Sequence, residues 1–179
     1  MASIVLNGDT SGSVTLSPPA VSGTQTVTLP AATGTVMVSG NMPAFSAYMN
    51  TATTLTTSTF TKLSFDVKDF DTASCYNTST YRFTPNVAGY YAVTGTFRAF
   101  STASTATSVI FSIYKNGSEY QRSGSNVTSA QGYSQLAGLV YCNGSTDYIE
   151  LYGYQDSGST KTTDNATNYK FTSVLVRAA

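Results

Sequence analysis

The sequence predicts an all-β protein, and three observations support this prediction. Ser and Thr make up about 30% of the 179 residues, and 13 Tyr and 9 Phe are present. Thr, Tyr, Val and Phe favour strands, whereas strong helix formers are scarce. Gly, Asn and Ser interrupt the chain about every 8–12 residues, the spacing expected of a β-sandwich or barrel. Aromatic residues at 12% argue for a buried core and against a disordered Ser/Thr-rich stalk.

The composition also excludes several classes of function. Nine basic and nine acidic residues give zero net charge, so binding of nucleic acid through phosphate neutralisation is not expected. The chain contains no His, which excludes a Ser-His-Asp triad, a Cys-His dyad and a His-ligated zinc site. We therefore expect no catalytic residues, no cofactor and no metal. A surface this poor in charge is unusual for a free monomer, which favours an assembly.

The first six residues lack the basic start and long apolar core of a signal peptide. No stretch approaches the roughly 18 apolar residues of a membrane span. The expected location is the cytoplasm of the producing cell until a larger particle carries the protein out. In that reducing compartment Cys75 and Cys142 are expected to be free, buried thiols.

Residues 1–42 are expected to form an extended, β-rich N-terminal arm. The arm contains no aromatic residue, and Asp9 is its one charged side chain. Short β-like segments separated by turn signals recur at about ten-residue spacing, and each is too short to bury a core within one chain. These segments are 4–6, 14–16, 27–30 and 36–38. Such an arm becomes ordered by interleaving with copies of itself or by lying on a larger surface; the alternative is a flexible linker.

Residues 43–179 are expected to form one domain of about eight successive strands. In the segment 60–67, alternation places Leu63, Phe65 and Val67 on one face. The tightest turn signal is Asn116-Gly117, which supplies the positive φ angles of a two-residue hairpin. The remaining predicted strands are 44–48, 81–83, 90–100, 109–114, 136–141, 148–152 and 171–176.

This domain resembles the globular head of complement-type proteins and the related tumour necrosis factor-like jelly rolls. The most specific match is YRFTPNVAGYYAV at 81–93, and VIFSIYKNG at 109–117 is also close. Weaker matches at 43–47, 65–67, 147–151 and 171–176 keep the family's order. The resemblance implies a ten-stranded antiparallel jelly-roll sandwich that assembles as a homotrimer through one apolar sheet face.

The arm departs from that family, because it lacks the Gly-x-y repeat of a collagen-like stalk. Its sequence SIVLNGDTSGSVTLSPPAVSGTQTVTLPAATGTV instead resembles the opening segment of phage virion proteins, including tail fibres and other appendages. This second resemblance implies that the arm attaches the head to a particle.

The acidic residues form no convincing catalytic or metal-binding pattern. Asp66, Asp69 and Asp71 could offer oxygens to calcium, which some relatives of this head bind, but they lack the Gly and distal Glu of an EF-hand loop. A solvated turn is the preferred interpretation. Asp147 and Glu150 are three positions apart, an odd spacing, so on one strand they would point to opposite faces.

Two segments, 118–135 and 152–169, have the Tyr-, Ser-, Gly- and Asn-rich composition of adaptable recognition loops. Within them Tyr152, Tyr154 and Tyr169 are candidate ligand-contacting residues that could stack on sugars. The competing interpretation is that they cover a sheet or lie in the trimer core.

The sequence thus predicts a non-enzymatic component of a tailed-phage virion: a trimeric short fibre, tail-associated host-attachment protein or capsid decoration protein. Its predicted partners are its own copies, capsid, collar or tail proteins contacted through residues 1–42, and a host surface glycan. Neither nucleic acid nor membrane is expected as a partner. The alternative is a secreted or surface-displayed module that recognises a carbohydrate or receptor. A carbohydrate-cleaving enzyme is the least favoured hypothesis.

Overall fold

A computed structural model describes residues 4–21, 23–28, 31, 36–100, 108–126 and 132–179. The chain divides into two compact units, Met1–Gly34 and Thr35–Ala179. The sequence-based boundary lay after residue 42. In the described part of the chain the single helix is a three-residue 3-10 turn, Ser39–Asn41, so no helix there could cross a membrane.

The N-terminal unit contains an antiparallel hairpin of β1 (Ile4–Asn7) and β2 (Ser13–Leu16). Ile4 pairs with Leu16 and Leu6 with Val14, so these four side chains share one face. All four are more than half exposed. The predicted segments 4–6 and 14–16 are therefore strands, segment 36–38 is not, and segment 27–30 lies partly outside the described residues.

The second unit is a sandwich of two antiparallel sheets. Its strands are β3 (Ala44–Met49), β4 (Thr54–Leu55), β5 (Thr61–Lys62), β6 (Val67–Asp71), β7 (Tyr76–Asn77), β8 (Arg82–Phe83), β9 (Ala88–Arg98), β10 (Ser108–Lys115), β11 (Ser118–Asn126), β12 (Tyr133–Asn143), β13 (Ile149–Gln155), β14 (Lys161–Thr162) and β15 (Ala166–Ala178). The first sheet has the order β11-β10-β13-β8-β7, with β5 also paired to β13. The second has the order β12-β9-β15-β3-β6, and β4 pairs separately with β14.

Strand β9 shows why the two sheets bury one face each. Its residues alternate strictly, so that Tyr91, Val93 and Phe97 are buried, whereas Tyr90 and Thr94 are exposed. A strand has a side-chain period of two, so this pattern places one set in the core and the other in solvent.

The core between the sheets is rich in aromatic rings. Phe45 stacks on Tyr76 and on Phe83 with ring centroids 4.6 Å apart in both pairs, and it meets Phe171 edge-on at 4.8 Å. The Tyr76 hydroxyl donates to the Phe65 carbonyl at 2.7 Å, so the polar end of this buried ring is satisfied. Burial raises the pKa of Tyr76, which keeps the phenol neutral.

Segment 60–67 is not the single strand that its alternation predicts. Lys62 pairs with β13 in the first sheet, whereas Val67 pairs with β3 in the second. The chain crosses from one sheet to the other in between. Leu63 and Phe65 are fully buried along this crossing, whereas Val67 is half-buried, so the three residues do not form one face of a single strand.

The strand number also differs from the expectations of eight and ten. The described residues of the second unit contain 13 strand segments, five of which are only two residues long.

Much of the predicted recognition loop 118–135 is regular secondary structure: β11 occupies Ser118–Asn126, and β12 begins at Tyr133. β11 was not predicted as a strand because its composition is Ser-rich. It is ordered by pairing with β10, which is strongly apolar.

The predicted turn at Asn116-Gly117 is confirmed, with φ values of 53° and 78°. Asn116 also ties this hairpin to the chain before β13. Its side-chain amide donates to Asp147 Oδ1 at 2.7 Å, and its side-chain oxygen accepts from the Tyr148 backbone at 2.9 Å. Asp147 Oδ2 accepts from the Asn143 backbone N–H and pairs with Lys115 at 2.9 Å.

Replacing Gly95 in β9 by Ala should destabilise the head. A Cβ at this position would lie 2.6 Å from Leu151 Cδ1 and from Phe111 Cζ, so the core must shift to accept it. We expect Gly95→Ala to lower the free energy of unfolding by about 1–3 kcal/mol. Gly124→Ala is the matched control, because its nearest side-chain atom would be at an ordinary 3.6 Å. Urea unfolding of both variants measures the difference; equal stabilities would contradict the packing described.

Replacing Asp147 by Asn should cost stability at neutral pH and much less in acid. Hydrogen bonds from Asn116 and Lys115 hold the pKa of Asp147 below its ordinary value of 3.8. A lowered pKa contributes stability that is complete above pH 3.8 and is lost as pH falls through the folded value. We expect a loss of about 1–3 kcal/mol at pH 7.

The measurement is urea unfolding at pH 7 and at pH 3, with Asp9→Asn as control. Asp9 lies exposed in the other unit. A destabilisation by Asp147→Asn that is as large at pH 3 as at pH 7 would show that the carboxylate charge is not what stabilises the turn.

Candidate functional site

The solvent face of the second sheet is apolar at one end. Leu139 and Tyr141 of β12, Tyr90 of β9, and Val174 and Val176 of β15 are all 40% or more exposed there. Leu139 is opposite Ala92, which is in turn opposite Val174, so these three form a row across three strands. Tyr90 and Tyr141 stand side by side with ring centroids 5.4 Å apart. We call these residues the apolar end.

The same face becomes polar further along the strands. The row that follows Leu139, Ala92 and Val174 contains Thr94 and Thr172, which are opposite each other. Lys170 of β15 pairs with Asp69 of β6 at 2.6 Å, and its ammonium lies 4.8 Å from the centre of the Tyr48 ring. The hydrogen bond from Lys170 holds the pKa of Asp69 below its ordinary value. The face therefore changes from apolar to polar without any change of strand.

Two tyrosines and an ion pair form the far corner of this polar region. Arg98 of β9 pairs with Asp164 at 2.8 Å, and its guanidinium lies 5.5 Å from the centre of the Tyr133 ring. Tyr169 lies beside Tyr133 and Arg98. Burial raises the pKa of Tyr169, although the neighbouring Arg98 acts in the opposite direction. We call Tyr133, Tyr169, Arg98 and Asp164 the tyrosine corner.

The first sheet carries a second aromatic group, on β13 and its neighbours. Tyr114 and Tyr152 stack with centroids 3.9 Å apart, and Phe60 lies 5.0 Å from Tyr154. Arg122 lies over the Phe60 ring at 5.6 Å. Because these rings face each other and an arginine, much of their surface is already in contact with protein.

Glu150 lies beside these rings and forms ion pairs with two cations of the first sheet. Its side chain is 1% exposed, and Oε1 accepts from Arg82 Nε at 2.7 Å and from Lys62 Nζ at 3.1 Å. The Tyr152 hydroxyl is 3.4 Å from Oε2. A buried carboxylate with two cationic partners joins β5 and β8 to β13, which is a structural arrangement.

The candidate calcium residues are also used to hold the chain together. Asp66 accepts from the backbone of Asn50 at 2.7 Å, and Asp71 accepts from the backbones of Cys75 and Tyr76 at 3.0 Å. Asp69 is held by Lys170, as described above. Within the described ranges no group of three His, Cys, Asp or Glu side chains could hold a metal ion.

Both cysteines are free and buried. Burial raises the pKa of Cys75, and it raises the pKa of Cys142 to about 11, so neither is an activated thiol.

The three predicted ligand-contacting tyrosines do not form one site. Tyr152 and Tyr154 lie two residues apart on β13 in the first sheet, whereas Tyr169 lies on β15 in the second. Sequence reasoning missed Tyr133 and Arg98 as neighbours of Tyr169, because they come from β12 and β9. The resemblance implied an apolar sheet face, but sequence reasoning did not identify the residues of the apolar end, although the alternation of 133–143 contains that signal once its partner strand is known.

No protein-family profile and no curated protein sequence matches the chain. Solved structures do match. The globular domain of zebrafish complement 1qA superimposes with a TM-score of 0.56 at 14% identity, covering 76% of this chain and 98% of that one. Murine APRIL matches with a TM-score of 0.57 at 9% identity, covering 75% and 99%.

A third similar structure is the phage PRD1 vertex protein P5, with a TM-score of 0.50 at 11% identity, covering 77% of this chain and 98% of that one. At these identities the likeness concerns the fold alone. The chain is thus all-β with antiparallel sheets, and its second unit has the jelly-roll fold of complement globular heads and tumour necrosis factor-like domains.

Proposed function

We propose that this chain is a non-enzymatic structural component of a tailed-phage virion. In this proposal the jelly-roll heads form a homotrimer, and the N-terminal arm, residues 1–42, attaches the trimer to the particle as a short fibre, tail-associated or capsid decoration protein. The observation that carries the proposal is the apolar end of the second sheet, which needs a partner.

The apolar end supports self-association. Five large apolar side chains lie together on one exposed sheet face, and contiguous patches of this kind mark association sites. Burying them against the same surface of other copies removes them from water. Two cations border the patch: the exposed Arg177 lies opposite Tyr90, and the Lys115 ammonium, which pairs with Asp147, lies 5.6 Å from the centre of the Tyr141 ring. The number three comes from the resemblance to complement globular heads.

The arm supports attachment. Its hairpin presents Ile4, Leu6, Val14 and Leu16 on one face, all exposed, and a two-stranded hairpin is at best marginally stable alone. One arm offers too little surface for tight binding. Three arms held by one trimer act at high effective concentration, so weak individual contacts add up to firm attachment. The fold likeness to a phage vertex protein is compatible with this location.

The non-enzymatic part of the proposal rests on residue chemistry. The chain has no His. Glu150 and Asp147 are engaged by cations and backbone groups that hold strands and turns in place.

The second candidate function is a recognition module on a cell or particle surface. The tyrosine corner favours it, because Tyr133 is 62% exposed beside polar groups. The two candidates are compatible if the head of a virion appendage also contacts the host. Mass spectrometry of purified particles from the producing culture tests the virion proposal: absence of this chain from virions would reject it.

Replacing Leu139 by Asp in the full chain should dissociate the trimer. Light scattering of the native protein should give three times the chain mass of 18.9 kDa. Leu139→Asp would bury three carboxylates in the seam, so we expect monomers at the same protein concentration. Val27→Asp is the matched control, because this 87% exposed residue lies in the arm. A native monomer, or a Leu139→Asp trimer, would contradict the proposed seam.

A chain beginning at Asn41 tests the role of the arm, because the second unit contains its own core. We expect this shortened protein to remain trimeric but to be lost from particles. If it is monomeric while the full chain is trimeric, the arm is an oligomerisation element and the attachment role is wrong.

A further inference from the structure

A cavity of about 310 Å³ opens beside the tyrosine corner. Its walls come from adjacent strands of the second sheet and include Thr96, Tyr133, Ser134, Gln135 and Tyr169. A neighbouring cavity of about 400 Å³ shares Thr96 and Gln135 with it and extends toward Thr94. Together they form a depression along the polar part of the sheet face, of the size that small ligands occupy.

The walls combine aromatic surface with neutral hydrogen-bonding groups. Tyr133 is 62% exposed, so much of its ring is available to a ligand. Gln135 is exposed, and none of the hydrogen bonds among the described residues engages its side-chain amide. A free primary amide offers two N–H donors and one acceptor oxygen at the cavity wall. Tyr169 is half-buried and lies beside Tyr133 at the cavity wall.

The charges near the cavity compensate each other. The Arg98 guanidinium is paired with Asp164 at 2.8 Å, and Lys170 is paired with Asp69 at 2.6 Å. A phosphate, sulfate or uronate would meet no excess of positive charge here. The composition of the walls therefore favours an uncharged ligand with many hydroxyl groups and one apolar face.

We propose that this cavity binds a neutral pyranose unit of a surface polysaccharide. The C–H face of the sugar packs on the Tyr133 ring. The Gln135 side-chain oxygen accepts a hydrogen bond from one hydroxyl, and its NH₂ group donates to an adjacent one. A neutral sugar fits both the Tyr133 ring and the Gln135 amide. The C–H groups of the sugar ring are apolar, and each hydroxyl can both donate and accept a hydrogen bond.

This inference rests on the proposed function in one respect: the trimer seam must leave the tyrosine corner open. Tyr133 is six residues from Leu139 on β12, which corresponds to about 20 Å along an extended strand. A seam centred on the apolar end therefore leaves the cavity at Tyr133 outside it, whereas the neighbouring cavity at Thr94 and Ala137 borders the seam. Light scattering reports on the seam and sugar titration on the cavity, so the two can fail separately.

The test uses saturation-transfer NMR on the full chain with methyl glycosides of glucose, galactose, mannose, rhamnose and N-acetylglucosamine. Concentrations up to about 10 mM detect dissociation constants in the millimolar range expected for single sugars. We expect at least one glycoside to bind through its ring C–H protons. Tyr133→Ala should raise its Kd by about 5- to 10-fold, and Gln135→Ala by about 3- to 10-fold.

Two control variants make the result specific. Tyr133→Phe keeps the ring and should keep most of the affinity, which separates stacking from loss of fold. Tyr154→Ala removes an aromatic ring of the first sheet and should leave the Kd within about 2-fold, the level of a residue outside the contact. Thermal melting of each variant confirms that it is folded, and light scattering confirms that it is assembled.

Four results would overturn the inference. The first is that no glycoside of the panel binds. The second is that binding survives both Tyr133→Ala and Gln135→Ala. The third is that Tyr154→Ala abolishes binding while Tyr133→Ala does not, which would move the site to the first sheet. The fourth is a preference for methyl glucuronide over methyl glucoside, which would contradict the neutral class.

Discussion

The pairing of β9 with β12 on one side and β15 on the other is the interaction on which the head depends. Eleven residues of β9 are in continuous register with β12, from Arg98 opposite Tyr133 to Ala88 opposite Asn143. A slip of one residue would turn Tyr91, Val93 and Phe97 out of the core and bring Tyr90 and Thr94 in. The aromatic core, the apolar end and the tyrosine corner are all consequences of this one register.

Charge is scarce in this chain, and where it occurs it is mostly used to join strands. Glu150 holds β5 and β8 to β13 through Lys62 and Arg82, and Asp147 holds the β10–β11 turn to the chain before β13. A carboxylate whose oxygens already accept hydrogen bonds from lysine, arginine or backbone N–H groups of the protein is poorly available for proton transfer. The small number of charges therefore acts as a set of structural ties.

The sequence predicted the fold class and most of the long strands but not the functional surfaces, for an identifiable reason. Strand composition and turn signals are local properties, so β9, β10 and the Asn116 turn could be predicted directly. The crossing at 62–67 could not be predicted in this way. The chain leaves one sheet for the other there, and Leu63 and Phe65 stay buried while the strand partners change. The tyrosine corner likewise combines β9, β12 and β15, which are far apart in the chain. Tyr169 was chosen because of the composition of its segment, whereas the identity of its neighbours depends on the pairing of strands that are distant in the sequence.

The polarity gradient along the second sheet determines how much of its face self-association can cover. Extending the seam from Leu139 to Tyr133 would bury the pairs Arg98–Asp164 and Lys170–Asp69, and desolvating such pairs costs about as much as their attraction returns. Burial of the apolar end costs less, because its cations, Arg177 and the Asp147-paired Lys115, lie at its border. Association is therefore favourable only over the apolar part of the face, which leaves Tyr133 and Gln135 in contact with solvent. One sheet face can thus hold copies together at one end and present a polar cavity at the other, without competition between the two for the same side chains.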